Sequence, residues 1–360
     1  MTNHIKVGIT HGDINGISYE IIAKVLAPEG ITELFTPVVF GYPELLEEAA
    51  ALLELERLPF KVISTPSEVQ EGIINVIPPL SPMPAPEPGK VSKEAGKVAV
   101  EALEMAVDAL KDGCIDVLVT APISKEAVQS EKFNFPGHTE FLESRLGEES
   151  RSQMILFNDR LRIALLTIHL PLSKVAASIT EETIVKAVES FAYTLKRDFG
   201  AERPSIAILS LNPHAGDGGM LGNEEKDIIE PAIRQLQDNG ILAFGPFPAD
   251  GFFGHGSYAN FDGILAMYHD QGLAPFKTLV SSGGVNFTSM LPYVRTSPDH
   301  GTAFDIAWKG EADPSSLREA IYKAIDIYRR RKSFDDAAAN PLKKFIQEKP
   351  DKGERLDKNI

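Results

Sequence analysis

Ile206-Ala207-Ile208-Leu209-Ser210-Leu211-Asn212-Pro213-His214-Ala215-Gly216 is the stretch that decides the fold. Four apolar residues in a row, without polar alternation, mark a strand covered on both faces, as in a parallel sheet between helices. The Asn-Pro pair ends that strand and leaves His214 just beyond its carboxyl end. The same arrangement recurs twice. Ile163-Ala164-Leu165-Leu166-Thr167-Ile168 runs into His169, and Ile264-Leu265-Ala266-Met267-Tyr268 runs into His269-Asp270-Gln271-Gly272.

Working outward, short β-branched runs predict strands at 4–10, 36–41, 60–64, 73–77, 115–120, 161–168, 205–211 and 262–268. Helical patterns lie between them. The clearest is 92–112, where Ser92 can cap, apolar residues from Ala95 to Leu110 recur at helical spacing, and Gly113 stops the run. A helix at 180–199 opens on Thr180-Glu181-Glu182-Thr183, and one at 223–239 is expected to kink or restart at Pro231. Alternating strands and helices predict an α/β fold. With 360 residues, about two domains are expected.

The charge balance, 36 basic against 51 acidic residues for a net −15, argues against a nucleic-acid footprint, which needs a basic face. Hydrophobic residues make up 43%, enough for a sizeable core and too many for a disordered chain. No apolar run approaches the ~18 residues of a membrane span. Met1-Thr2-Asn3-His4-Ile5-Lys6 carries no signal-peptide core. The single cysteine, Cys114, excludes an intrachain disulfide and reads as structural, so a cytoplasmic protein without a membrane partner is expected. The prolines of 78–88 predict a stiff extended loop. Arg329-Arg330-Arg331-Lys332 reads as a solvated helix end, and 334–360 as a polar tail.

The chemistry-bearing residues form two groups. His169, His214 and His269 share one kind of place, outside the carboxyl ends of strands, where α/β sheets bind ligands. Three neutral imidazoles with an open fourth position suit a catalytic divalent metal, although their spacings match no local metal motif. The second group suits an anion. Pro136-Gly137-His138-Thr139-Glu140 opens a helix at 139–146 whose first amides are free to donate, and Lys277, Ser281-Ser282-Gly283-Gly284, Asn286 and Arg295 add cations and donors. A small anionic substrate beside a metal is the expectation. Gly8, Gly12 and Gly16 do not follow the dinucleotide fingerprint and read as a turn. Gly216, Gly218, Gly219 and Gly222 read as a loop, and Trp308 as packing.

Several separated motifs, in order, are similar to one family. They are Gly137-His138-Thr139-Glu140, Thr167-Ile168-His169-Leu170-Pro171-Leu172, Asn212-Pro213-His214-Ala215-Gly216, Tyr268-His269-Asp270-Gln271-Gly272, Gly284-Val285-Asn286, Pro292-Tyr293-Val294-Arg295-Thr296-Ser297 and Asp299-His300-Gly301-Thr302-Ala303. Over about residues 5–330 the chain resembles the 4-hydroxythreonine-4-phosphate dehydrogenases of pyridoxal 5′-phosphate biosynthesis. The first loop departs from that family. The usual Gly-Asp/Glu-Pro-x-Gly-Ile-Gly-Pro is Gly12-Asp13-Ile14-Asn15-Gly16-Ile17-Ser18-Tyr19 here.

The resemblance implies two α/β domains around a cleft, like isocitrate and isopropylmalate dehydrogenases. A cofactor-side domain would take 1–130 plus 285–333, and a metal-, substrate- and dimerisation domain 131–284. It implies His169, His214 and His269 as ligands of a divalent metal (zinc, magnesium or cobalt). His138, Thr139, Lys277, Asn286 and Arg295 become substrate contacts, and Asp270 and Lys277 catalytic candidates. Gly301, Thr302 and Asp305 become contacts of NAD or NADP. It further implies a homodimer with the active site at the interface. The implied reaction is oxidation and decarboxylation of 4-phosphooxy-L-threonine to 3-amino-2-oxopropyl phosphate. A paralogous dehydrogenase of erythronate or threonate 4-phosphate would use the same metal and phosphate residues. A metal-dependent phosphohydrolase would call for more carboxylate ligands than the sequence offers.

Overall fold

The computed structural model of the chain describes residues 4–55, 58–131, 133–147, 152–339 and 341. One mixed sheet of twelve strands crosses the described residues: β1 Lys6–Thr10, β2 Thr36–Phe40, β3 Phe60–Val62, β4 Ile74–Ile77, β5 Val117–Thr120, β6 Gln153–Phe157, β7 Arg162–Leu165, β8 Ser205–Leu209, β9 Leu242–Phe247, β10 Gly263–Ala266, β11 Val285–Ser289 and β12 Val294–Pro298. Their order is β3-β4-β2-β1-β5-β12-β11-β6-β7-β10-β8-β9. The expected strands are all present, somewhat shorter, and β6, β9, β11 and β12 are additional.

Strands β3 to β12 at one side pair in parallel, as do β7, β10, β8 and β9 at the other. Between them, β12-β11, β11-β6 and β6-β7 are antiparallel. Three reversals make the two parallel groups run in opposite senses. The fold is thus α/β, with its change of strand direction at the middle of the sheet, where a cavity opens.

Helix Lys93–Lys111 forms as its pattern predicts. The Ser92 hydroxyl accepts from Ala95 N at 3.3 Å, and the apolar stripe from Ala95 to Leu110 is buried. Each Leu or Val so buried contributes about 1.5–3 kcal/mol, which fastens this helix across the first parallel group. In helix Glu181–Arg197 the cap is reciprocal: Thr180 Oγ1 accepts from Thr183 N, and Thr183 Oγ1 accepts from Thr180 N. The restart at Pro231 is real. A π-helical turn, Glu225–Ile229, precedes helix Glu230–Asp238. The proline-rich stretch carries no helix or strand.

One expectation is corrected. Arg331 is not on a solvated helix end, because helix Ser315–Ala339 continues past it. Its guanidinium is buried, paired twice with Asp198 at 2.9 Å, and it also donates to Leu291 O at 3.0 Å. The tail expected after 334 falls mostly outside the described residues. Among the described residues, no helix is long and apolar enough to cross a membrane.

Candidate active site

A cavity of about 300 Å³ lies over β12, β11 and β6. Strand register builds its floor. Asn286 pairs with both Ser297 and Leu156, and Thr288 with Met154. Because side chains alternate along a strand, Arg295 and Ser297, Asn286 and Thr288, and Met154 and Leu156 share one face. The walls come from the carboxyl ends of strands in both parallel groups: Thr120 at the end of β5 with Ala121 and Pro122 beyond it, and His169 after β7, with His269 after β10. All five expected substrate residues, His138, Thr139, Lys277, Asn286 and Arg295, line this cavity.

Arg295 is the centre of its electrostatics. It is 2% exposed, yet it bonds only hydroxyls: Thr120 Oγ1 accepts from Nη2 at 2.6 Å and Nε at 3.2 Å, and Thr288 Oγ1 from Nη1 at 2.9 Å. Burial pushes its guanidinium down to about 9, and the charge of Glu140 works against that shift. A buried cation bonded by no carboxylate is costly unless an anion reaches it. His138 stays neutral, because burial and then the Arg295 charge hold its imidazole well below its ordinary value. Its Nε2 is buried without a partner, as are Asn286 Oδ1 and Glu140 Oε2.

Helix His138–Leu146 begins at the cavity with no side-chain cap, so its first amides are free for a ligand. Lys277 reaches the cavity from helix His269–Leu279. His269, Leu273 and Lys277 stand four residues apart on one face of that helix, and all three line the cavity. Around Arg295, Lys277 and the helix start the site collects donors and cations, the profile of an anion receptor, while the carboxylates of Glu140 and Asp299 also line it.

Two of the three expected metal histidines meet here. The His169 and His269 rings stand 6.1 Å apart between centroids, and each is held through Nδ1 by a carboxylate. Glu140 Oε1 lies 3.1 Å from His169 Nδ1, and Asp270 Oδ1 lies 2.7 Å from His269 Nδ1. The His169 ring in turn holds the Glu140 carboxyl below the usual carboxylate range. The Tyr-His-Asp-Gln-Gly motif explains how His269 is placed. Gln271 accepts from Met267 N at 2.7 Å and donates to Ser210 O at 2.6 Å, tying the helix start to two strand ends. Gly272 sits so close to Ile163, Leu165 and Ala266 that a Cβ would fall about 3 Å from each.

His214 is elsewhere. It is exposed on the turn Pro213–Gly219, where residues 214 to 218 all have positive φ, and it does not line the cavity. The base of this turn is fixed by buried Glu225, whose Oε1 accepts from Leu211 N at 2.9 Å and Asn212 N at 2.7 Å. Among the described residues of one chain, no three His, Cys, Asp or Glu side chains are grouped to hold a metal.

Of the expected cofactor residues, Gly301 lines the cavity. Thr302 packs on the first loop, its carbonyl accepting from Ile17 N at 3.1 Å, and Asp305 is exposed farther along the loop. The indole of Trp308 donates to Ile14 O at 2.9 Å, so this residue joins the two loops as well as packing. Lys125 lines the cavity without having been singled out from sequence, and Ser297, Asp299 and His300, which stood in family motifs without an assigned role, line it too. Glu140 stood inside a motif, but only the structure brings it to His169.

The family described as pyridoxal phosphate biosynthetic protein PdxA matches residues 33–324. The chain is 49% identical over 354 residues to the 4-hydroxythreonine-4-phosphate dehydrogenase of Bacteroides thetaiotaomicron, covering 98% of this chain and 97% of that protein. It is 36% identical to the D-threonate 4-phosphate dehydrogenase of Pectobacterium atrosepticum, covering 89% of this chain and 98% of that one. Among solved structures, the 4-hydroxythreonine-4-phosphate dehydrogenase of Klebsiella pneumoniae superposes with a TM-score of 0.76 at 35% identity, over 91% of this chain and all of that one (100%). With the family match running through both parallel groups of strands and the cavity between them, the chain belongs to the PdxA family.

Proposed function

We propose that the protein oxidises 4-phosphooxy-L-threonine with NAD(P)+ and a divalent metal and releases CO2, leaving 3-amino-2-oxopropyl phosphate. The observation that carries this reading is the buried, carboxylate-free Arg295 facing an uncapped helix N-terminus in the same cavity as two carboxylate-held imidazoles. The first pair fits a phosphate, and the second fits a metal. Full-length similarity to 4-hydroxythreonine-4-phosphate dehydrogenases supports the choice of substrate.

The donor set suits a divalent ion. With Nδ1–H of His169 and His269 directed to Glu140 and Asp270, Nε2 of each ring is left as the ligand atom. Neutral imidazoles also leave an ion its full charge. The third imidazole is His214, and we assign it to a second copy of the chain. Exposed Leu170 and Leu172 beside His169, and exposed Met220 and Leu221 beside His214, support a shared apolar contact. A nicotinamide dinucleotide fits the loop at Gly301, Thr302 and Asp305. A Cβ at Gly301 would meet nothing within 4 Å, and the exposed Asp305 carboxylate suits ribose hydroxyls, which favours NAD over NADP.

A bound metal would supply Lewis acidity toward the substrate hydroxyl, and a bound nicotinamide would serve as hydride acceptor. The chain's own residues do the rest. Arg295, Asn286, Thr139 and the free amides at His138 hold the phosphate. Lys277, which has no ion-pair partner among the described residues, offsets the remaining substrate charge. His138, kept neutral, orients the substrate by hydrogen bonding without adding charge beside Arg295. Asp270, 85% exposed, fixes the His269 ring through Nδ1 and so orients Nε2 toward the metal. The strand order supports assigning 1–130 plus 285–333 to the cofactor side and 131–284 to the metal and substrate side.

The test is NADH formation by purified protein with 4-phosphooxy-L-threonine, before and after chelation. Metal-dependent NADH formation with release of CO2 is expected. Turnover of threonate 4-phosphate alone would move the protein to the substrate named for its Pectobacterium relative, and turnover of erythronate 4-phosphate alone to another four-carbon acid phosphate. Silence with every substrate in metal-loaded protein would overturn the dehydrogenase reading.

A further inference from the structure

The first loop, which departs from the family pattern, is fastened to the proline-rich loop by one residue. Asn15 is 1% exposed, and three of its atoms engage the same turn. Its Oδ1 accepts from Glu87 N at 2.7 Å, its Nδ2 donates to Lys90 O at 3.0 Å, and its carbonyl accepts from Gly89 N at 2.9 Å. Asn15 is itself fixed, because its N–H donates to Asp13 Oδ1 at 2.9 Å. The turn Glu87–Lys90 closes with Lys90 N donating to Glu87 O at 3.0 Å.

The other side of this turn lies on the loop expected to carry the dinucleotide. Gly89 has φ +77°, and a Cβ there would fall 2.9 Å from Phe304 O. A Cβ on Gly16 would fall 2.7 Å from Thr302 O. The loops at 12–17, 87–90 and 301–308 therefore interlock, and Gly301 brings them to the edge of the cavity. The prolines at 84 and 86 restrict the lead-in and Pro88 the turn itself, so little freedom remains to be lost when a ligand docks.

We infer that the turn Glu87–Lys90 is a wall of the dinucleotide site and that Asn15 is the positioning residue that holds it there. The inference rests on the cofactor reading above and adds to it a third loop. Asn15 touches neither the cavity nor the metal histidines, so its effect should fall on the dinucleotide alone.

Trp308, the chain's single tryptophan, lies in the cofactor loop and reports binding by its emission or by energy transfer to NADH. Loss of two side-chain hydrogen bonds in Asn15→Ala should weaken NADH binding, and raise KM for the oxidised dinucleotide, by about tenfold. The KM for the phosphorylated substrate and the metal content should stay within about twofold. Gly89→Ala, which pushes the turn off Phe304 and leaves both Asn15 side-chain bonds their partners, should give the same split if Asn15→Ala fails to fold. Asn15→Asp keeps the acceptor for Glu87 N and should fall between wild type and Asn15→Ala.

Wild-type dinucleotide affinity in both folded variants would overturn the inference, as would a parallel rise in both KM values. Wild-type protein that binds neither NADH nor NADPH is a different result, and it would overturn the cofactor reading itself.

Discussion

The floor and the rim of the cavity are built in opposite ways. At the floor, Arg295 is 2% exposed, on a regular strand, and held by Thr120 and Thr288 from the strands on either side. At the rim, the His169 and His269 side chains are 36% and 38% exposed, and His214 projects from a strained turn away from the cavity. His214, Ala215 and Asp217 all have positive φ, at a cost of about 1–3 kcal/mol each. Sheet register thus completes the proposed anion end within a single chain, whereas the proposed metal end holds two of the three expected imidazoles, and His214 does not line the cavity. Strain at the His214 turn is tolerated because Glu225 fixes its base.

The largest effect should come from the floor. Arg295→Lys keeps a charge but loses the fork that both threonines hold, and should lower kcat/KM by about a thousandfold, within the 2–5 kcal/mol typical of a broken buried charge contact. Metal content should not change. If Arg295→Lys lost the metal as well, floor and rim would not be separable.

At the rim, the two carboxylates should differ. Glu140→Gln, on the better buried pair, should weaken metal binding about 10- to 100-fold by calorimetry. Asp270→Asn should weaken it less, since water competes at an 85% exposed carboxylate. Full turnover together with full metal content in Asp270→Asn would remove Asp270 from the account.

A smaller effect is expected with pH. A cation loses its charge as pH rises through its pKa, and burial brings Arg295 down to about 9. The KM for the phosphorylated substrate should therefore be flat at neutral pH and climb once pH passes about 9. A climb that begins near neutrality would place the sensitive group at the rim instead.

How much of this was legible depends on which way side chains face. Ile206–Leu209 reads as a strand because helices cover both faces; β6 carries the same signal in Met154-Ile155-Leu156-Phe157 and was nevertheless not predicted. Strands β11 and β12 do not carry it, because Asn286, Arg295 and Ser297 line the cavity and Thr288 bonds Arg295 beneath it, which interrupts the apolar run. Strand β9 holds Gly245-Pro246, which an edge strand tolerates and a sequence reading takes for a turn. The substrate residues were legible through their chemistry and the family motifs. Their partners were not, since Thr120 and Thr288 meet Arg295 only through strand pairing. Asn15 gave no signal at all, because its partners lie more than seventy positions away.

The claim that the metal end is completed by a second copy is tested most directly by mixing two inactive variants, His169→Ala and His214→Ala. In a mixed pair, one site keeps His169 and His269 from one chain and His214 from the other, and the second site loses both. Random pairing should thus restore metal-dependent NADH formation to about a quarter of the wild-type rate, with one metal bound per mixed pair. No recovery in mixed pairs of demonstrated composition would contradict the account, because it would return His214 to the chain that carries His169.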